Sequence, residues 1–313
     1  MKIVLFSVTS ILFSNAVSAN IHVRDYTSQF IKDYRALKTN SFESKKNFIL
    51  KYELVTVPEI CSIFFDGHPI PRDPRIETLF KSYVADLPEL VAAYEKKVPE
   101  IRTIVSEVQE RTQHLFGMKI NADVVLSTSV SETDAVTTGD NISRPVVALN
   151  LREMVKYSND DLKIVLAHEL FHVLQHQIEV DHSNSDMIAG NLYSEGWATY
   201  ASSLVYPGYS DWKYISYFTK DNSQFLKFQA NKKAIIHDIL KDWNSHNERK
   251  YNKYFSADGG ASKPFEPRSG YYIGYLAAKT LAEKRPAVQV ALIKYNDYKR
   301  QIKPLLKKMS EIS

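Results

Sequence analysis

The spacing of apolar residues predicts that the N-terminal third of the chain is helical. From Ile76 to about Phe116, apolar residues recur every three to four positions, which is the period of an amphipathic helix. Two helices are expected there, because Pro99 lies early in the second run of this stretch. Residues 30–37 and 45–54 show the same period and predict one or two further helices. This part of the chain is therefore predicted to form a helical layer.

A change of pattern at residue 121 predicts a small sheet. Residues 123–127 and 145–150 are short runs rich in valine and other strand-forming residues. The segment between them is rich in Ser, Thr, Asp and Gly, a composition typical of turns. The sequence thus indicates two short strands joined by a turn-rich connection.

Two helices are predicted to follow the strands. The helical period returns after Ser158 and predicts a helix over about 159–178. Ser158 is followed three residues later by Asp161, a pair typical of a helix N-terminus. A polar loop over 179–186 then precedes a second predicted helix over about 187–205, which ends before a Pro-Gly pair.

The remainder of the chain is predicted to be helical with one long interruption. Residues 256–270 are rich in Gly, Ser and Pro, and a loop of this length often has a function. Gly259 and Gly260 would give such a loop the freedom of a hinge. Residues 286–313 form an amphipathic helical tail with lysine-rich faces.

The first 19 residues have the features of a secretory signal peptide. Lys2 precedes a short apolar run, and Val17-Ser18-Ala19 is a small-x-small cleavage site before Asn20. The apolar run is short for a membrane span, and no later stretch approaches the roughly 18 consecutive apolar residues that a span needs. The expected location is therefore periplasmic or secreted, without stable membrane insertion after signal cleavage.

Composition and charge narrow the possible partners and cofactors. The chain has 313 residues, of which 44% are hydrophobic and 24% charged, as in an ordinary globular protein. A formal net charge of +4 without a concentrated basic run gives no indication of nucleic-acid binding. Because Cys61 is the only cysteine, a metal site would have to use histidine and carboxylate ligands. The oligomeric state is not determined by these features.

The segment HELFH at 168–172 lies in the middle of the helix predicted over 159–178. Residues four apart share a helix face, so His168 and His172 can both reach one cation. Glu169 lies about 100° around the helix, beside that cation, where it can accept a proton from a metal-bound water. The motif therefore predicts a catalytic metal site with Glu169 as general base.

Glu195 is the expected third ligand, because a catalytic zinc uses three protein ligands and keeps one open position. The returning helix brings Glu195 back to about the level of the histidine pair. Gly196 is unfavourable inside a helix by about 1 kcal/mol unless another helix must approach closely, as two helices around a shared metal would. Other ligand sets remain open at this point, namely His176, or His182 with Asp181 beside it, as does a structural role without metal.

These residues resemble the gluzincin metallopeptidases, in which a Glu on the next helix completes HExxH. More narrowly, the Glu195-Gly196 pair and the segment GYYIGY at 270–275 resemble a bacterial family of predicted zinc-dependent proteases, over roughly residues 120–285. The resemblance implies a zincin fold with Zn²⁺ held by His168, His172 and Glu195, and a sheet whose edge strand lies along the cleft. Thermolysin-like members have an acidic residue four positions after the third ligand, where this chain has Thr199.

Tyr271 is the expected donor to the oxyanion that forms during amide hydrolysis. It follows the loop at 256–270, which would deliver it and Arg268 towards the metal, with Arg268 as a substrate-binding candidate. Tyr272 is the alternative donor. Packing in the core is an equally open interpretation, since the chain contains 19 tyrosines.

The sequence as a whole predicts an exported zinc metallopeptidase of the gluzincin type that acts on a peptide or protein. The predicted fold is α+β and mostly helical, zincin-like, with a small sheet packed on the HExxH helix. An extended substrate is expected to pair with an edge strand at 146–150. The alternatives are a non-catalytic secreted binding or assembly factor and a zinc hydrolase acting on a non-peptide cell-wall bond. The expected divisions are a signal peptide at 1–19, an N-terminal helical region at 20–118, a catalytic domain at 119–285 and a helical tail at 286–313.

Overall fold

The computed structural model describes residues 21–56, 63–64, 74–138, 144–179, 188–217, 219–256 and 265–311. The strands are β1 His22–Asp25, β2 Asp123–Ser127, β3 Ala135–Thr138 and β4 Val146–Asn150. The helices are α1 Thr27–Arg35, α2 Phe42–Lys51, a π-helical turn Tyr52–Thr56, α3 Pro74–Phe116, α4 Leu151–Met154, α5 Asn159–Ile178, α6 Ile188–Val205, α7 Asp211–Ile215, α8 Ser223–Asp242, α9 Glu248–Phe255, α10 Ser269–Ala282, α11 Ala287–Ala291 and α12 Tyr295–Glu311. The predicted fold class, α+β and mostly helical, is confirmed.

The strands form one mixed sheet in the order β1-β2-β4-β3. The pairs β1-β2 and β2-β4 are parallel, and β3-β4 is antiparallel with Ala135 opposite Leu149. All five residues of β4 are buried, whereas β3 is mostly half-buried. Helix α5 packs beside β3, so this end of the sheet adjoins the helix that carries the HExxH segment.

Two predictions about the sheet were wrong. The strand at 146–150 is central, because β3 occupies the edge that it was expected to form. Residues 135–138 were interpreted as part of a turn-rich segment, since Thr137 and Thr138 are polar and the strand has only four residues. Strand β1 lies at the start of the N-terminal region predicted to be helical, before its first predicted helix, and was not itself predicted.

The stretch from Ile76 to Phe116 is one helix rather than the predicted two. Helix α3 is continuous from Pro74 to Phe116 and contains Pro88 and Pro99. A proline removes one backbone donor and disturbs one turn. The apolar residues on both sides of Pro99 continue in one buried stripe, which includes Tyr94, Val98, Ile101, Ile104 and Val105. Burial of this stripe therefore outweighs the local preference of proline to end a helix.

The two helices predicted after the strands are confirmed almost to the residue. Helix α5 begins at Asn159 and ends at Ile178, and α6 spans Ile188–Val205. Ser158 and Asp161 form a reciprocal capping box, in which each side chain accepts a bond from the other residue's backbone N–H. In the described part of the chain, no helix is both long and apolar enough to cross a membrane.

Gly196 is explained by a different neighbour from the one expected. A Cβ atom on Gly196 would lie 2.3 Å from Cα of Gly274, and one on Gly274 would lie 2.6 Å from Cα of Gly196. The two glycines therefore let the backbones of α6 and α10 touch, whereas the expectation was a close approach of α6 to the histidine helix. This contact fixes the helix that carries Tyr271 against the helix that carries Glu195.

Several predictions lie outside the described residues. They are the signal peptide at 1–19, the central part of the loop at 256–270 with its Gly pair, and the alternative ligands His182 and Asp181. They stay predictions.

Candidate metal centre

Helix α5 presents two imidazoles side by side. His168 and His172 are one helical turn apart, their ring centroids are 4.7 Å apart, and their Nε2 atoms are 3.0 Å apart. Both residues lie in a largely buried part of α5, and His168 is 9% exposed. The i, i+4 spacing therefore places two nitrogen ligands at one point, as the helix geometry requires.

Helix α6 brings a carboxylate to the same point. Oε2 of Glu195 is 3.1 Å from Nε2 of His168 and 3.5 Å from Nε2 of His172. Ligand atoms at about 2 Å from a tetrahedral zinc are about 3.3 Å from one another. The three atoms thus have the mutual distances that a zinc site needs. Among the described residues, this is the group of His and carboxylate side chains able to hold a metal, and His176 is not part of it.

The electrostatics of the three groups also suit a cation. Burial opposes ionisation of Glu195, but the His172 and His168 imidazoles outweigh it and hold the pKa of Glu195 well below its usual range. Burial likewise favours neutral His172, but the Glu195 carboxylate raises the pKa of His172 to about 9. The cluster therefore contains a buried anion that attracts positive charge.

The imidazole of His172 is held by neighbours that the sequence did not reveal. Its Nδ1 is 2.8 Å from Oε1 of Gln175 and 3.3 Å from Oγ of Ser194. Gln175 in turn donates from Nε2 to the backbone carbonyls of Tyr193 and Ser194 on α6, each at 3.3 Å. With Nδ1–H donating to the glutamine oxygen, Nε2 is left to accept a metal.

The Thr199 hydroxyl bonds within its own helix rather than to the His172 imidazole. Its hydroxyl donates to the backbone carbonyl of Glu195, 2.8 Å away within the same helix. Gln175, three residues after His172 on the same face of α5, serves instead. The three-residue spacing between His172 and Gln175 indicates that the two side chains can meet. The sequence does not show that Gln175 also bonds to backbone carbonyls of α6.

The carboxylate of Glu169 is positioned by the edge strand. The hydroxyl of Thr137 on β3 donates to Oε2 of Glu169 at 2.6 Å and approaches the Glu169 backbone carbonyl at 3.1 Å. Glu169 is 8% exposed. The partner was missed because residues 135–138 were interpreted as turn.

The two candidate tyrosines lie in different surroundings. The Tyr271 ring stacks on the His168 ring, with centroids 6.0 Å apart and planes 21° apart. Burial, together with the charge of Glu195, raises the pKa of Tyr271 well above its usual value, so its hydroxyl stays protonated. Tyr272 is 2% exposed and packs between Phe225 and Phe228, with centroids 5.6 and 5.3 Å away. Tyr271 is therefore the tyrosine placed beside the histidine pair.

The chain belongs to a known family. Residues 15–286 match the family described as "Putative zinc dependent peptidase (DUF5700)", which is most of the chain. This match confirms the resemblance to zinc-dependent proteases and the expectation of zinc as cofactor, and it extends over the N-terminal region beyond the motifs at 120–285. No curated protein and no solved structure matched the chain.

Proposed function

We propose that the protein is an exported zinc peptidase in which His168, His172 and Glu195 hold the metal and Glu169 is the general base. One observation carries the proposal. Three ligand atoms from two helices converge at mutual distances of 3.0 to 3.5 Å, beside a carboxylate that is not one of them. A purely structural zinc site has no need of that additional carboxylate.

Each residue has a distinct task in the proposed reaction. Zinc bound to the three ligands would supply Lewis acidity, which lowers the pKa of a bound water towards about 7 and polarises the scissile carbonyl. Glu169, whose carboxylate is held by the Thr137 hydroxyl, accepts the proton of the attacking water and then passes it to the leaving amine. Tyr271, which is protonated, donates a hydrogen bond to the carbonyl oxygen as negative charge develops there.

The proposed substrate is an extended peptide bound along β3. This strand ends the sheet and pairs with β4 on one side. Its Thr137 touches Glu169, so a peptide added to the edge would run past the general base. Strand addition favours a peptide over a cell-wall amide, because main-chain hydrogen bonds supply much of the binding.

Export is the second part of the proposal. It is supported by Lys2, the apolar run after it and the Val17-Ser18-Ala19 site. Expression of the full chain in a Gram-negative host should give a mature protein that begins at Asn20 in the periplasm or medium. Mass spectrometry that finds residues 1–19 retained on exported protein would contradict cleavage, and recovery in the cytosol alone would contradict export.

Metal content and turnover of the mature protein test the enzymatic part together. The protein should contain about one zinc per chain and cleave members of a peptide library, and Glu169→Gln should keep the zinc and lose about 100-fold or more in kcat. Glu89→Gln, at an exposed position of α3, is the matched control and should behave as wild type. Zinc binding without cleavage in the wild-type protein would favour the non-catalytic binding factor instead. Cleavage of cell-wall amides but not of peptides would favour the third hypothesis.

A further inference from the structure

Arg268 lies between two tyrosine rings at the start of helix α10. Its guanidinium carbon is 5.1 Å from the centre of the Tyr271 ring and 5.4 Å from the centre of the Tyr217 ring. Nη1 of Arg268 donates to the Tyr217 hydroxyl at 3.2 Å. The guanidinium therefore packs against the tyrosine that stacks on His168.

The backbone of Arg268 is unusual. Its φ angle is +63°, and among the described residues Arg268 is the only non-glycine residue with a positive φ. A long side chain rarely adopts this conformation, and where it does, the surrounding contacts hold it there. The residue is thus constrained twice, by its backbone and by its side chain.

The Tyr217 hydroxyl continues the chain of contacts to the edge strand. It donates to Oδ2 of Asp134 at 2.8 Å, and Oδ1 of Asp134 accepts from the backbone N–H of Ala135, the first residue of β3. Tyr157 donates to the same Oδ2 atom at 3.0 Å, and its ring meets the Tyr217 ring edge to face with centroids 5.7 Å apart. Asp134 is 9% exposed. An anchored carboxylate at the base of β3 is therefore linked through Tyr217 to Arg268.

We propose that Arg268 is a positioning residue that holds Tyr271 over the metal cluster, and that Tyr217 and Asp134 tie this position to the edge strand. The inference rests on the proposed function, because it assigns a task to Tyr271. It differs from substrate binding by Arg268, which was the expectation from the sequence. The guanidinium faces two aromatic rings and a phenol oxygen, and these contacts are suited to fixing a ring in place.

The physical reason for such a device is precision. Tyr271 also contacts Phe255, with centroids 6.2 Å apart, so its ring is enclosed by His168, Phe255 and Arg268. A misplacement of about 1 Å of a catalytic group can reduce the rate about 100-fold. Loss of the Arg268 guanidinium would keep the Tyr271 hydroxyl but allow the Tyr271 ring to change its orientation.

Two variants test the proposal, with one matched control. Tyr217→Phe keeps the ring and removes the hydroxyl that accepts from Arg268. Arg268→Gly removes the guanidinium and keeps a residue that tolerates positive φ. Both should lower kcat about tenfold while KM stays within about twofold and zinc content is unchanged. Tyr157→Phe removes an equivalent bond to Asp134 and should leave kcat within about twofold.

A double-mutant cycle with Tyr271→Phe separates positioning from general destabilisation. If Arg268 acts through the Tyr271 hydroxyl, Arg268→Gly should cause no further loss of kcat in the Tyr271→Phe background. Losses that multiply, or an equal loss in Tyr157→Phe, would overturn the proposal. A rise in KM that occurs with free-acid peptides and disappears with amidated peptides would also overturn it, because Arg268 would then bind the substrate carboxylate.

A structural readout keeps the test independent of activity. A crystal structure of Arg268→Gly should show the Tyr271 ring displaced from its stack on His168, and an unchanged stack would overturn the proposal. The proposed function fails by a different result, namely full turnover of Glu169→Gln, whereas full turnover of Tyr271→Phe would overturn the present inference and leave the metal ligands and Glu169 untouched. The two failures are therefore distinguishable.

Discussion

Two buried polar clusters in this protein have opposite hydrogen-bonding character. Between α3 and the segment after β2, the hydroxyls of Tyr83, Tyr94 and Thr128 contact one another, with 2.9 Å between Tyr94 and Thr128 and 3.3 Å between the two tyrosines. Between α5 and α6, two imidazole nitrogens converge with a carboxylate oxygen. Both clusters are buried, but they satisfy their polar atoms in different ways.

The difference lies in the number of donors. A hydroxyl both donates and accepts, so three hydroxyls can satisfy one another without a further group. Burial raises the pKa of Tyr94 to about 12, which keeps its donor proton in place. In the other cluster His172 donates from Nδ1 to Gln175, and its Nε2 faces the Glu195 carboxylate, which raises the pKa of His172 and so keeps a proton on this imidazole until a metal ion replaces it. The imidazole–carboxylate cluster needs a positive charge, either a proton or a metal ion, because Glu195 is a buried anion. A closed set of hydroxyls needs none, and this difference distinguishes the candidate metal site from the structural hydroxyl cluster.

The largest effect is expected from a substitution in the imidazole–carboxylate cluster. Glu195→Gln replaces the anion with an amide, and a neutral amide is a poor zinc ligand. Zinc content should fall from about one per chain to near zero, and peptide cleavage should fall to background. Atomic absorption and a cleavage assay measure both, with Glu89→Gln as the control. Retention of stoichiometric zinc would remove Glu195 from the ligand set.

Removal of the metal should destabilise the protein as a whole. At free zinc about 1,000 times Kd, binding to the native state contributes about 4 kcal/mol to the free energy of unfolding. A chelator should therefore lower the Tm of the wild-type protein, and the same chelator saturated with zinc should not. Glu195→Gln should show no such difference. Equal wild-type Tm values with and without chelator would contradict the site.

A smaller effect is expected from the residue that orients His172. Gln175→Ala removes the acceptor for Nδ1–H and the bridge to α6, so zinc affinity should fall about 10- to 100-fold. Competition with a chromophoric chelator measures the change. Gln177→Ala, at an exposed position on the same helix, is the matched control. An affinity equal to that of the control would show that the glutamine contact is incidental.

The smallest effect is expected in the hydroxyl cluster. Thr128→Val leaves the two tyrosine hydroxyls with one partner fewer, which should lower the free energy of unfolding by about 1–3 kcal/mol. Zinc content and kcat should not change. Chemical denaturation measures the loss, and Thr103→Val, at an exposed position, should stay within about 0.5 kcal/mol of wild type. A loss of zinc in Thr128→Val would mean that the two clusters are coupled.

Much of the site was predictable from local pattern. The bounds of α5, its capping box and the shared face of His168 and His172 depend on residues within one or two turns of each other. The level of Glu195 on α6 followed from helix rise and loop length. These features are determined by short-range geometry, and the sequence displays them directly.

The rest was decided by contacts between distant parts of the chain. Strand β1 pairs with β2 although the whole of α3 lies between them in the sequence. Strand β3 has only four residues, which are too few for an alternating pattern to distinguish it from a turn. Helix α3 continues through Pro99 because its buried stripe packs on both sides of the proline. Local propensity in these places was weaker than tertiary packing.

The sequence by itself determined the histidine pair, its helical spacing and the presence of a carboxylate beside it. Only the tertiary structure decided what holds each group: Gln175 for His172, Thr137 for Glu169, and Gly274 for the close approach at Gly196. The physical reason is that a helix fixes its own side-chain directions through bonds four residues apart. A side chain can be oriented by a residue of another helix or strand only after the two elements have packed together. No local sequence pattern encodes which residues of the two elements will then be in contact.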